Sequence, residues 1–212
     1  MALDGPSGTG KSSAARLLAR RLGSRYLDTG AMYRAATVAT LHAGVDLTDP
    51  EAIARTVAAA EIAISTDPEP AVVRLDGLDV SQEIRSVPVT QAVSAVAAVP
   101  GVRTQLVAQQ RELIGVGGIV VEGRDIGSTV WPGAELKVYL TASPQARARR
   151  RADETGQHAE EVAQSLHLRD HLDSSRSASP LRRADGAIEL DTTELTLAEV
   201  VQALAALVDA PP

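Results

Sequence analysis

The chain opens on a short apolar run, Ala2-Leu3-Asp4, that reads as the end of a strand. The run is short on its N-terminal side, so we expect a native chain that begins a few residues earlier. A glycine-rich stretch follows, then a helix from Lys11 to about Leu22, with Leu17, Leu18 and Leu22 at helical spacing. Tyr26-Leu27-Asp28 predicts a second strand, and a helix from about Ala31 to Ala43 stops at Gly44. Thr48-Asp49-Pro50 supplies the cap and first turn of a helix reaching Ala60. Ile62 to Ile64 and Ala71 to Leu75 are alternating or β-branched, and Asp76-Gly77 before Leu78-Asp79-Val80 is a hairpin signal. Val89 to Val99 and Val102 to Leu113 predict helices broken at Pro100-Gly101. The runs Gly118 to Glu122 and Leu136 to Leu140 are apolar on both faces, as parallel strands under helices require. Ser143-Pro144 opens a charged helix, and a polar helix spans about Glu160 to Ser175. A last strand, Ala187 to Asp191, precedes a helix from Thr196 to Val208 with Leu197, Val200, Val201, Leu204 and Leu207 on one face. With no internal repeat, the order is α/β with a small unit inserted between about Glu61 and Pro88.

Composition narrows this picture. The 212 residues are 44% hydrophobic, which suits a folded globule. No run of about 18 apolar residues is present, so no membrane partner is expected. The first residues lack a basic start and an apolar stretch, and a cytoplasmic location is expected. Cysteine is absent, which removes disulfides, thiolate chemistry and cysteine-based zinc sites. The four histidines lack a zincin spacing; His167 and His171 stand four apart, and we read them as surface residues rather than a metal pair. A net charge of −6 argues against a nucleic-acid partner. Only Lys11 and Lys137 are lysines; the other basic residues are arginines, which suit bidentate phosphate contacts, although coding bias explains most of that preference.

Gly5-Pro6-Ser7-Gly8-Thr9-Gly10-Lys11-Ser12 satisfies G-x-x-x-x-G-K-[ST], with Ser13 next to it. Glycines let backbone N–H groups turn toward phosphate oxygens without side-chain clash. The helix that starts at Lys11 adds the positive end of its dipole. Lys11 is placed to reach the β- and γ-phosphates of ATP, and Ser12 to offer a hydroxyl to Mg²⁺. A match at four fixed positions is expected by chance on the order of one time in a hundred for a chain this long. The same loop serves GTPases and motor ATPases. A GTPase would need an Asn-Lys-x-Asp signature, and this chain contains no asparagine.

Three further clusters combine arginine with acid. Asp28-Thr29-Gly30-Ala31-Met32-Tyr33-Arg34 is a loop into a helix, whose first amides and Thr29 hydroxyl can hold an anion. Glu122-Gly123-Arg124-Asp125-Ile126-Gly127-Ser128 follows a buried strand, where α/β folds place ligands. Arg169, Asp173 and Arg176 share one helical face, with Asp170 beside them. Taken singly these have plain readings: a helix cap for the first, exposed ion pairs for the last.

Together with the phosphate loop, the segments LDGPSGTGKSS, LDTGAMYR, DVSQEIR, SAVAAVPGVR, VEGRDIGS and RDHLDSSR resemble, in order, the bacterial cytidylate kinase family. The resemblance implies the three-layer P-loop NTPase fold: a central parallel sheet, an inserted monophosphate-binding unit with a small antiparallel sheet, and a helical lid. It implies one kinase domain, with a core of 1–28, 115–148 and 180–212, a monophosphate-binding region of 29–114 with its insert at about 61–88, and a lid at 149–179. The implied activity is ATP-dependent phosphorylation of CMP and dCMP in pyrimidine nucleotide recycling, with Mg²⁺ carried by ATP. The implied roles are catalysis by Lys11, Arg124 and Arg176, and ATP binding by Gly5, Pro6, Ser7, Gly8, Thr9, Gly10, Lys11, Ser12 and Ser13, with Ser12 toward the metal. Thr29, Arg34, Arg124 and Arg176 hold the CMP phosphate; Ser94, Arg103 and Asp125 read the cytosine; Arg169 and Asp173 meet the sugar hydroxyls; and Tyr33 lines the ribose. Arg85 helps to order the monophosphate unit, and Arg147, Arg149, Arg150 and Arg151 either reach ATP from the lid or form a solvated face. Monomer is the default for this size. The alternatives are a P-loop kinase with another monophosphate or small-metabolite acceptor, a non-catalytic ATP-binding regulator, and an ATPase within an assembly.

Overall fold

The computed structural model describes residues 1–69, 71–156, 158–176 and 179–210. Pro70 of the expected insert, Gln157, Ser177 and Ala178 of the expected lid, and Pro211 and Pro212 lie outside them. In chain order the elements are β1 (Ala2–Asp4), α1 (Lys11–Leu22), β2 (Arg25–Asp28), α2 (Thr29–His42), α3 (Pro50–Ala59), β3 (Ile62–Ile64), β4 (Val73–Leu75) and β5 (Leu78–Asp79). There follow α4 (Val87–Ala98), α5 (Pro100–Ile114), β6 (Ile119–Gly123), β7 (Lys137–Thr141), α6 (Pro144–Thr155), α7 (Ala159–Ser175), β8 (Ile188–Asp191) and α8 (Leu197–Asp209). They form two compact units, one of Met1–Tyr26 with Gly118–Pro212 and the other of Leu27–Gly117.

The first unit is built on a five-stranded sheet of order β2-β6-β1-β7-β8. β1 pairs in parallel with β6 and β7, and β7 with β8, so the apolar runs of the sequence become parallel strands. Leu3, Val120, Val138 and Leu140 of the sheet pack against Ala14 and Leu18 of α1 and Val200 and Leu204 of α8. α8 begins with a reciprocal capping box between Thr196 and Glu199. The register sets Asp4 beside Gly123 on one side and Tyr139 on the other. The carboxyl ends of β1 and β6 therefore lie level, and the residues that leave them, Gly5 and Arg124, start side by side.

The second unit surrounds α2, which is buried along most of its length. Asp28 caps it by accepting the Ala31 amide at 2.9 Å, so the helix starts at Thr29, ahead of the predicted Ala31. The antiparallel sheet β3-β4-β5 turns at Asp76 and Gly77, both with positive φ (49° and 80°), as a tight hairpin of right-handed strands requires. Pro100 opens α5 instead of ending its predecessor. Proline lacks the N–H that a first turn leaves unused, and the break falls on the extended Val99.

Leu204 is fully buried at the contact of α8 with α1 and the sheet. Leu204→Ala is expected to lower unfolding free energy by about 2–5 kcal/mol in urea denaturation.

Candidate functional site

The loop between β1 and α1 is a set of backbone turns that only glycine permits. Gly5, Gly8 and Gly10 take φ of 145°, 79° and 86°. At Gly5 a Cβ would sit 2.2 Å from the Leu140 carbonyl oxygen, and at Gly8 it would meet Arg147 at 3.0 Å. The left-handed Gly10 then ends the loop and starts α1. Ser12 is exposed on the first turn of α1.

Lys11 folds back across this loop. Its ammonium donates to the Pro6 carbonyl at 2.7 Å, and Thr9 Oγ1 donates to the same oxygen at 3.1 Å. Burial lowers the Lys11 pKa to about 7. Arg124 and Arg169 push the same way, against Glu122 and Asp4. A compact cation with a weakened hold on its proton faces the loop, and an arriving polyphosphate would restore that hold.

Beside it stands a buried carboxylate–guanidinium group. Arg124 donates through Nε to Asp173 Oδ2 at 2.9 Å and through Nη1 to the Gly5 carbonyl at 3.0 Å. Arg176 Nη2 donates to the other oxygen of Asp173. Burial alone would raise the Asp173 pKa, but Arg124, Arg176 and Arg169 together hold it below the usual range. Burial likewise opposes the charge on Arg124, yet Asp173, Glu122 and Asp170 outweigh it and raise its pKa. Arg176 Nε is buried with no hydrogen-bond partner among the described residues, leaving an unused donor. The sequence cluster Arg124, Arg169, Asp173 and Arg176 is thus one local charge network.

Asp125 is buried, and its carbonyl accepts the Thr129 and Val130 amides at the foot of a π-type turn, Ile126–Val130. In the second unit, Arg34 Nη1 donates to the Ile84 carbonyl at 2.8 Å and to Thr90 Oγ1 at 3.0 Å. Arg103 is buried with its guanidinium carbon 5.5 Å from the centre of the Tyr33 ring, within cation–π range. Thr29 and Ser94 are buried. Arg85 is exposed, and the turn that carries it (Glu83–Arg85) is tied to Arg34 through the Ile84 carbonyl.

Several residues of this site make long-range contacts that their local sequence does not show. Asp4 accepts the Ile126 and Gly127 amides on its two oxygens, both at 2.8 Å, and so fastens the turn that follows Arg124 and Asp125. Burial raises its pKa to about 6, against the pull of those amides. Glu122, buried at the end of β6, accepts the Tyr26 hydroxyl at 3.3 Å and acts electrostatically on Lys11. The arginine run of α6 divides: Arg147 and Arg150 turn toward the loop, Arg149 is exposed, and Arg151 pairs with Glu154 at 2.9 Å. His158, His167 and His171 are exposed.

A glycine-rich loop between a central parallel strand and a helix, with its lysine folded over it, places the chain in the P-loop NTPase class. A protein from Eubacterium ventriosum ATCC 27560, described as uncharacterized, shares the fold with a TM-score of 0.57 at 9% identity, over 99% of this chain and 97% of that one. A gluconokinase from Sinorhizobium meliloti 1021 aligns with a TM-score of 0.50 at 18% identity, over 98% and 90%. The cytidylate kinase family model matches residues 1–210. A cytidylate kinase of Rhodococcus opacus (strain B4) is 56% identical over 207 residues, covering 95% of this chain and 90% of the relative. One of Streptomyces avermitilis is 51% identical over 212 residues, covering 99% and 92%. The chain belongs to the cytidylate kinase family.

Asp4→Asn replaces an acceptor oxygen with an amino group facing a buried amide. It is expected to cost about 1–3 kcal/mol of stability. The measurement is chemical denaturation with amide hydrogen exchange at Ile126 and Gly127, which should lose protection first.

Proposed function

We propose that the chain transfers the γ-phosphoryl group of ATP to CMP, and to dCMP, releasing ADP with CDP or dCDP. Membership of the family over residues 1–210 carries this reading, and the loop and charge network supply parts that the chemistry needs. An enzyme of this kind recycles pyrimidine nucleotides. The residues 5–13 cradle the ATP phosphates through backbone amides, and Lys11 turns from the Pro6 carbonyl to the β- and γ-oxygens. The acceptor needs little activation, because a CMP phosphate oxygen is already anionic at neutral pH. Catalysis is then alignment plus charge neutralisation.

Mg²⁺ carried by ATP would supply charge neutralisation at the phosphates. The exposed Ser12 hydroxyl fits a direct contact to it. Glu122, a carboxylate at the end of the strand next to β1, fits a contact through water. Asp4, near enough to Ser12 in sequence to act through water, already accepts an amide on each oxygen.

On the acceptor side, Thr29, Arg34, Arg124 and Arg176 hold the CMP phosphate in this proposal. The Nε of Arg176, without a hydrogen-bond partner among the described residues, supports that role. Ser94, Arg103 and Asp125 read the base: acceptors meet the cytosine amino group, and Arg103 donates to its ring acceptors. Uracil would set a carbonyl against the Asp125 carboxylate, leaving buried polar groups unmatched. Tyr33 lines the ribose, and Arg169 and Asp173 contact its hydroxyls. The core, monophosphate-binding region and lid at 149–179 are part of the same proposal, the lid excluding a competing water. So are a monomeric enzyme, a cytoplasmic location and the absence of a nucleic-acid partner. No helix among the described residues is long and apolar enough to cross a membrane.

The direct test is an ADP-release assay across CMP, dCMP, UMP, AMP and shikimate. CMP and dCMP should dominate, and preference for another acceptor would overturn the assignment. Lys11→Ala should lower turnover by at least about 10³-fold while circular dichroism stays unchanged. Asp125→Ala should raise the KM for CMP while leaving that for ATP within about twofold; equal losses for both would remove its base-reading role.

The depressed Lys11 pKa gives a pH dependence. In the free enzyme Lys11 loses its proton as pH rises through about 7, whereas phosphate-bound Lys11 keeps it. Binding therefore takes up a proton, and ATP affinity should fall as pH rises from about 7.5 to 9, by at most about tenfold per pH unit. Calorimetry in two buffers of different ionisation enthalpy reads the uptake directly.

A further inference from the structure

A loop that presents N–H groups to phosphate must turn its carbonyls the other way, because the peptide plane sets C=O and N–H on opposite sides. Those carbonyls then need donors from elsewhere in the fold. In this chain the carbonyls of Gly5, Pro6, Ser7, Thr9 and Gly10 each have one. Arg124 takes the Gly5 carbonyl, Lys11 and Thr9 take Pro6, and Arg147 takes Ser7 at 3.1 Å. The Gly10 carbonyl enters the helix by accepting the Ala14 amide.

The Thr9 carbonyl is held from furthest away in sequence. Thr192, fully buried just beyond β8, brings its hydroxyl to 3.2 Å from Thr9 O and 3.0 Å from Thr141 O. Arg150 of α6 aims Nη1 at the same hydroxyl (3.0 Å) and at Thr9 O (3.5 Å). Its Nη2 donates to the Thr192 carbonyl at 2.5 Å and the Leu195 carbonyl at 3.2 Å. The Thr192 hydroxyl, whose single proton is shared between Thr9 O and Thr141 O, and the longer contact from Arg150 thus tie the Thr9–Gly10 peptide to α6 and to the segment after β8. The Gly10 N–H, in the same peptide plane, is thereby aimed into the cradle.

We infer that Arg150 and Thr192 are positioning residues for the ATP phosphates, acting through the Thr9–Gly10 peptide rather than by touching nucleotide. The inference rests on the reading of the loop as an ATP site. It assigns a function to half of the α6 arginine run. Arg147 performs the parallel service for the Ser7–Gly8 peptide and also pairs with Asp170 of α7 at 2.5 Å.

The test compares Thr192→Val, which keeps shape and loses the hydroxyl, with Thr192→Ser, which keeps it. Binding of ATP, inorganic tripolyphosphate and adenosine is measured for each by calorimetry or competition, alongside thermal melting and the KM for CMP. Thr192→Val should weaken ATP and tripolyphosphate by about 3- to 10-fold, the loss of one hydrogen bond. Adenosine binding and the KM for CMP should stay within twofold, and Thr192→Ser should restore the wild-type values. Unchanged ATP affinity in Thr192→Val, or an equal loss for adenosine, would overturn the inference. Should Thr192→Val not fold, Arg150→Lys keeps the charge but loses the fork, and the same split between ATP and adenosine decides. Wild-type protein that binds neither ATP nor tripolyphosphate would instead overturn the ATP-site reading itself.

Discussion

The polarity of the peptide group governs the construction of this protein's first unit. Amides that face a phosphate leave carbonyls that face the fold, and a buried carbonyl without a donor is costly. Donors for the loop come from β6's exit (Arg124), from α6 (Arg147 and Arg150) and from the segment after β8 (Thr192). The sheet order places β1 between β6 and β7, which lets donors approach from several directions. The same logic explains Gly5, whose missing Cβ lets the loop backbone lie against the Leu140 carbonyl.

That arrangement collects positive charge. Lys11, Arg124, Arg169 and Arg176 would repel one another in a dry interior, and the chain answers with Asp4, Glu122, Asp170 and Asp173. The balance is uneven: Asp173 is held ionised by the guanidinium groups about it, whereas Lys11 is left short of compensation. A site set in this way gains from an incoming polyanion, because the ligand supplies charge that the protein itself withholds.

Much of the fold was legible in the sequence because its signals are local. The glycine-lysine loop, the strands apolar on both faces and the Asp76-Gly77 turn each announce themselves within a few residues. The arginine and aspartate clusters at 124–125 and 169–176 also stood out, and the structure joins Arg124, Asp173 and Arg176 into one network. What was hidden depends on distance along the chain. Asp4 looks like the polar end of a strand, yet it caps a turn more than a hundred residues away. Arg147 and Arg150 sit in a run whose spacing fits a solvated face equally well. Only the return of α6 toward the loop separates them from the exposed Arg149. Pro100 was read as a break because proline ends helices more visibly than it begins them, although a first turn suits it.

The anchoring of the loop carbonyls also bears on entropy. Ordering a flexible glycine-rich segment at the moment of binding would consume part of the contact energy that nucleotide brings. Here the ordering accompanies folding, since Thr192, Arg147 and Arg150 grip the loop through contacts that involve no ligand. The conformational freedom of the three glycines is surrendered once, when the chain folds, and not again with each nucleotide that arrives.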